Sequence, residues 1–228
     1  MLNKKLLIIG DSNCLPRYSG LQKDIIRVED TYVYQLQKKL ENFDIQTMII
    51  GGITTPELIN FAIPYFNAWK PNFIIVHSGI NDIKSQFIKN SKTNLVYRIL
   101  SKFNINKKII KEKIIYNKHL VRMSSKPKVE LEDLKQQVIK FKNLFINSNI
   151  LWLEIYSDEK IDQSRPDTLQ RLNKYNKMLK EVLDKNLIEL KDIKNFSNFT
   201  SDGFHLNKKG HLLLFEKLIK IISSNDQR

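Results

Sequence analysis

A single cysteine, Cys14, in 228 residues excludes an internal disulfide framework and fits a reducing compartment. No stretch approaches the roughly 18 apolar residues of a membrane-spanning helix. The opening run Leu6-Leu7-Ile8-Ile9 is too short for a signal-peptide core, and it stops at Gly10-Asp11 without a small-residue cleavage site. A cytoplasmic protein is expected, at most peripheral at a membrane. Repeats and low-complexity linkers are missing too, so the length suggests one domain over residues 1–228. An apolar content of 42% suffices for a sizeable core.

Acidic residues are scarce in one place above all. Between Ile83 and Lys128 stand thirteen Lys or Arg and one acid, Glu112, so this piece carries twelve of the chain's fourteen net positive charges. It reads as a lysine-rich helical insertion at about 84–128, with helical patches at 95–103 and 109–120. Such a piece serves either as a solvated face or as a platform for an anionic glycan, a phosphate-linked carrier or a membrane surface. Aromatics such as Tyr97, Phe103 and Tyr116 are sparse in it and no recognised binding module appears, so nucleic acid is not an expected partner.

Around that insertion, strand and helix patterns alternate. Leu6–Ile9, Ile45–Ile50, Phe73–Val76, Ile150–Ile155 and Leu187–Leu190 are apolar runs of strand length. Helices are expected over Thr31–Phe43 with Asp30 as N-cap, from Thr55-Pro56-Glu57 to about Pro64, over Val129–Phe145, Pro166–Leu183 and Lys208–Ile222. This alternation predicts an α/β fold, a parallel sheet covered on both faces. In such sheets ligands bind at the carboxyl ends of the strands. Ser12, Gly52, Asn81, Asp202 and His205 all follow strands and so fall on one edge.

Those residues carry a chemistry. A serine hydroxyl needs a base within hydrogen-bond reach, and histidine is the natural one near neutral pH. Ser12 is the candidate nucleophile, His205 the base, and Asp202, three residues before it, the group that holds the ring's tautomer. The Ser12 and Gly52 backbone N–H groups and the Asn81 side-chain amide are candidate oxyanion donors. Gly52 lacks a Cβ and lets a substrate approach closely.

Gly10-Asp11-Ser12, Gly51-Gly52, Gly79-Ile80-Asn81-Asp82 and Asp202-Gly203-Phe204-His205, in this order, resemble the blocks of the SGNH (GDSL-like) hydrolases. Asn13 departs from the leucine many members have after the serine. The resemblance implies a flavodoxin-like three-layer α/β/α fold with a five-stranded parallel sheet, and acyl-ester chemistry through an acyl-serine without metal or cofactor. Leu15-Pro16-Arg17 and Arg27-Val28-Glu29-Asp30-Thr31-Tyr32 further resemble SGNH proteins associated with capsule, O-antigen and exopolysaccharide biosynthesis. That implies a carbohydrate esterase or O-acyltransferase acting on an acylated glycan. The rivals are a lipid or lysophospholipid esterase at a membrane and a non-catalytic binding protein for glycan or partner enzyme.

Neighbouring residues have plainer readings. Cys14 is expected to be a small buried thiol. His77 and His211 are expected to be structural, Arg17 to pair with nearby acids, and Tyr32 and Tyr34 to pack their helix.

Overall fold

The computed structural model describes residues 4–18, 21–86, 126–158, 161–164 and 167–226. Five strands, β1 (Lys4–Gly10), β2 (Phe43–Ile49), β3 (Phe73–His77), β6 (Asn149–Leu153) and β7 (Leu187–Ile188), form a sheet in the order β2-β1-β3-β6-β7. Every neighbouring pair in it is parallel. This is the flavodoxin-like order, whose switch point lies between β1 and β3. The expected α/β fold is thus the observed one.

The α-helices among the described residues are α1 (Tyr32–Lys39), α2 (Thr55–Phe66), α3 (Ile80–Ile83), α4 (Leu131–Leu144), α5 (Ile161–Ser164), α6 (Thr168–Leu183) and α7 (Lys208–Asp226). The period-2 alternation of buried strands sorts the core into two layers. Leu7, Ile9, Ile74, Val76, Ile150 and Trp152 pack with residues of α2, α4 and α6. Leu6, Ile8, Phe73, Ile75, Leu151 and Leu153 face the other way, toward α1 and α7. Both faces of β1 and β3 are therefore dry, which is why their sequences are unbroken apolar runs.

Local chemistry sets the helix ends. The α1 cap is Thr31, whose Oγ1 accepts from Tyr34 N at 3.3 Å, and not Asp30 as expected. Asp30 instead accepts from Arg27 N at 2.9 Å and pairs with Lys208 at 3.0 Å. That first pairing belongs to a 3₁₀ turn over Val28–Asp30, so Asp30 is spent one residue too early to cap. The α1 helix also stops at Lys39, before Phe43 enters β2. A Thr54–Glu57 capping box starts α2, and Pro64 falls in its last turn.

The expected helical patches at 95–103 and 109–120 lie outside the described residues. Both roots of the basic insertion are described. Ser85–Gln86 (β4) pairs antiparallel with Lys126–Pro127 (β5), and the Asp82 carbonyl accepts from Lys128 N at 2.8 Å and Val129 N at 3.1 Å. The insertion thus leaves and rejoins the fold beside the carboxyl end of β3. Among the described residues, no helix is long and apolar enough to cross a membrane, and no His/Cys/Asp/Glu group could hold a metal ion.

Candidate active site

The carboxyl end of β1 turns sharply. Asp11 N donates to the His77 carbonyl at 3.0 Å, which ties this turn to the end of β3. Residues Ser12–Cys14 then form one 3₁₀ turn, capped by Asp11, whose Oδ1 accepts from Asn13 N at 2.9 Å. Ser12 so stands at the start of a fixed turn above the sheet. Asn13 is buried and its Nδ2 donates to the same Asp11 oxygen at 3.2 Å, which accommodates an amide where the related blocks carry leucine.

His205 reaches this serine across a sequence gap of 193 residues. Its Nε2 lies 2.9 Å from Ser12 Oγ, and its Nδ1 lies 2.7 Å from Asp202 Oδ2. Asp202 is held in turn. Its Oδ1 accepts from Thr200 Oγ1 at 2.9 Å and from the Phe204 and His205 backbone N–H groups, both at 3.1 Å. Gly203, at φ 78°, makes the turn that folds these two amides back onto the carboxylate. Burial alone would raise the Asp202 pKa, but the bonds from His205 and from those two amides outweigh it and hold the carboxyl below its usual range.

Arg17 joins the same oxygen. Its Nη1 lies 2.7 Å from Asp202 Oδ2 and also touches His205 Nδ1. The expected ion pair of Arg17 with an acid is present, though that acid is distant in sequence. An antiparallel bridge between Arg17 and Ile26 directs the side chain to an acid 185 positions away. Nothing in the local sequence signals that reach.

The remaining candidates lie on the same edge. Gly52 follows β2 at φ 77°, with no atom within 4 Å of where a Cβ would stand, so its backbone faces open space. Gly79, at φ 124°, caps the short helix α3; a Cβ there would lie 2.6 Å from Ile155 Cγ1. That helix carries Asn81, whose Nδ2 donates to the Ile53 carbonyl at 3.0 Å and to Asp11 Oδ2 at 3.3 Å. Asn81 thereby links the Gly52 loop to the serine turn.

Two buried carboxyls support this arrangement. Burial raises the Asp11 pKa against the lowering effect of Asn13 and Lys84. Asp82 accepts from Thr55 N at 2.8 Å, its other oxygen is buried without a partner, and burial pushes its pKa up to about 7. Beneath the serine turn, Tyr32 OH lies 3.0 Å from both Cys14 Sγ and His77 Nδ1, while Tyr156 OH lies 2.8 Å from His77 Nε2. Burial lowers the His77 pKa to about 3, so this histidine is a neutral strut. His211, likewise lowered to about 4 by burial, stacks on Tyr32 and accepts from its backbone N–H at 3.4 Å. Cys14 is buried, and burial raises its thiol pKa, as befits an inert packing residue.

The sequence reading missed Lys84 and Tyr156. Lys84 stands three residues past Asn81, one helical turn on, and that spacing is the one signal that would have found it. Its Nζ donates to Asn81 Oδ1 at 3.1 Å.

A hydroxyl, an imidazole and a carboxylate thus stand in series at the carboxyl edge of a parallel α/β sheet, the set of groups that acyl-ester chemistry at a serine requires. More narrowly, the chain belongs to the GDSL-like lipase/acylhydrolase family, whose model matches residues 6–218. Solved structures share the fold at low identity. A lipase/acylhydrolase from Enterococcus faecalis superposes with a TM-score of 0.64 at 14% identity, over 97% of this chain and 96% of that one. A GDSL-like lipase from Bacteroides thetaiotaomicron gives 0.61 at 10% identity, over 98% and 89%. An acetylxylan esterase from Geobacillus stearothermophilus gives 0.58 at 15% identity, over 96% and 95%. No curated protein matches the chain in sequence.

Proposed function

We propose that this enzyme removes or transfers an acyl group, in the first instance O-acetyl, on a surface-polysaccharide glycan or its precursor. The observation that carries the chemistry is the unbroken series Ser12 Oγ, His205 Nε2, His205 Nδ1 and Asp202 Oδ2, at 2.9 Å and 2.7 Å. In this reading Ser12 Oγ attacks the acyl carbonyl carbon while His205 Nε2 takes its proton. Asp202 keeps Nδ1 protonated and offsets the imidazolium charge. The Ser12 and Gly52 N–H groups and Asn81 Nδ2 receive the oxyanion, the 3.3 Å bond of Asn81 to Asp11 being the one that yields. His205 then returns the proton to the departing sugar oxygen, leaving an acyl-serine. Water or an acceptor hydroxyl attacks that ester by the reverse path, with His205 taking and returning the proton again.

The glycan reading draws on the resemblance of Leu15-Pro16-Arg17 and Arg27–Tyr32 to polysaccharide-associated relatives. It also draws on the similarity to a structure described as an acetylxylan esterase. The basic insertion is rooted at Ser85–Gln86, a few residues beyond Asn81, and at Lys126–Pro127, which pairs with it, and this supports a role for that insertion in meeting an anionic acceptor. The test has two stages. Wild type is expected to cleave 4-nitrophenyl acetate and to be labelled at Ser12 by a fluorophosphonate, and Ser12→Ala to lose both. Full activity of Ser12→Ala would end the mechanism. Mass spectrometry of acetylated surface glycans incubated with the enzyme then reads loss or gain of acetyl, and unchanged glycan masses would end the substrate assignment.

A further inference from the structure

A neutral ester calls for no cation in its site, yet one is buried here. Lys84 is 7% exposed, and a lysine is rarely so buried unless its charge is engaged. Its Nζ donates to Asn81 Oδ1 at 3.1 Å and lies 3.7 Å from the centroid of the Phe204 ring. Phe204 itself lies against His205, with ring centroids 4.4 Å apart. The charge of Lys84 is also felt at the buried Asp11 carboxyl.

This arrangement has a direction. An ammonium group only donates, so Asn81 must present its oxygen to Lys84. The Ile53 carbonyl only accepts, so the Nδ2 group faces it, with Asp11 Oδ2 beside it. The Asn81 amide is thus gripped at both ends in one orientation. A cation on the oxygen withdraws electron density from the amide and makes Nδ2–H a stronger donor.

We propose that Lys84 is the positioning residue of the oxyanion pocket, orienting and polarising the Asn81 amide as negative charge builds on the substrate oxygen. This rests on the reading of Asn81 as an oxyanion donor. Lys84 acts through Asn81 on the transition state alone. Its removal therefore lowers kcat and leaves KM in place.

The experiment compares wild type, Lys84→Met, Lys84→Gln, Lys84→Arg, Asn81→Ala and the Lys84→Met/Asn81→Ala double variant on 4-nitrophenyl acetate. Lys84→Met is expected to lose about 10- to 100-fold in kcat with KM within about twofold, somewhat less than the full loss of one oxyanion donor. Lys84→Gln keeps a donor but no charge and is expected to fall with it, whereas Lys84→Arg recovers part of the loss. The double variant is expected within about threefold of Asn81→Ala, since one residue works through the other. Wild-type kcat in Lys84→Gln, or losses that multiply in the double variant, would overturn the proposal. If Lys84→Met does not fold, Gln against Arg still decides it. Wild-type kcat in Asn81→Ala would instead remove the oxyanion reading itself.

Discussion

Asp202→Asn is the sharpest perturbation of this site, because the two carboxylate oxygens have different duties. Oδ1 accepts three hydrogen bonds, from Thr200 Oγ1 and from the Phe204 and His205 amides. Oδ2 receives His205 Nδ1 at 2.7 Å and Arg17 Nη1 at 2.7 Å. In an asparagine the amide oxygen must take the three-donor position, since an NH2 group there would face donors alone. The NH2 then faces Arg17 Nη1, a donor that must swing away, and His205, whose Nδ1 must give up its proton and accept. The proton moves to Nε2, the nitrogen that has to accept from Ser12 Oγ. The Oδ1 bonds survive, the Arg17 contact is given up, and the base is lost. Such a tautomer reversal costs about 10⁴ in kcat, or about 5 kcal/mol at 1.36 kcal/mol per decade. The assay is kcat/KM on 4-nitrophenyl acetate near neutral pH, with the rate of fluorophosphonate labelling as a second reading. Activity within tenfold of wild type would refute the assignment of Asp202 as the group that orients His205. The same change has a stability signature. The carboxyl of Asp202 is held below its usual range, so its contribution is present above that range and lost as pH falls through the lowered value. Asp202→Asn is therefore expected to lose less stability than wild type on acidification.

Asp82 predicts the opposite trend. Burial raises it from 3.8 to about 7, with the Asp11 and Glu57 charges adding and the Thr55 hydrogen bonds opposing. A raised carboxyl stabilises the fold below its ordinary range and loses that contribution as pH climbs toward the raised value. At about 1.36 kcal/mol per pH unit, Asp82→Asn should gain up to about 4 kcal/mol relative to wild type between about pH 4 and pH 8. Parallel stability curves in urea melts across that range would contradict a buried, raised Asp82. Gly79→Ala would place a Cβ 2.6 Å from Ile155 Cγ1 at φ 124°. It should cost about 2–4 kcal/mol in a thermal or urea melt, and a loss under about 0.5 kcal/mol would show that this turn is less constrained than its geometry implies.

The fold was legible from the sequence because its signals are local. Dry parallel strands read as unbroken apolar runs, and Pro56 with Glu57 marks a helix start. Errors arose where one side chain had two possible uses. Asp30 is a good cap by type, but it is spent on the turn over Val28–Asp30, and Thr31 takes its place. Asn13, at odds with the family block, is explained by Asp11, a carboxylate that accepts its amide.

By itself, the sequence determined which candidate residues stand together and which sheet edge they share. Motif order and strand order are both properties of the chain. The tertiary structure alone decided how those residues are tuned. Arg17 reaches Asp202, and Asn81 is held between Lys84, Asp11 and the Ile53 carbonyl. Such contacts depend on side-chain reach across turns that neighbour one another only after the strands of the sheet have paired. Their electrostatic strength comes from burial, which no local pattern records.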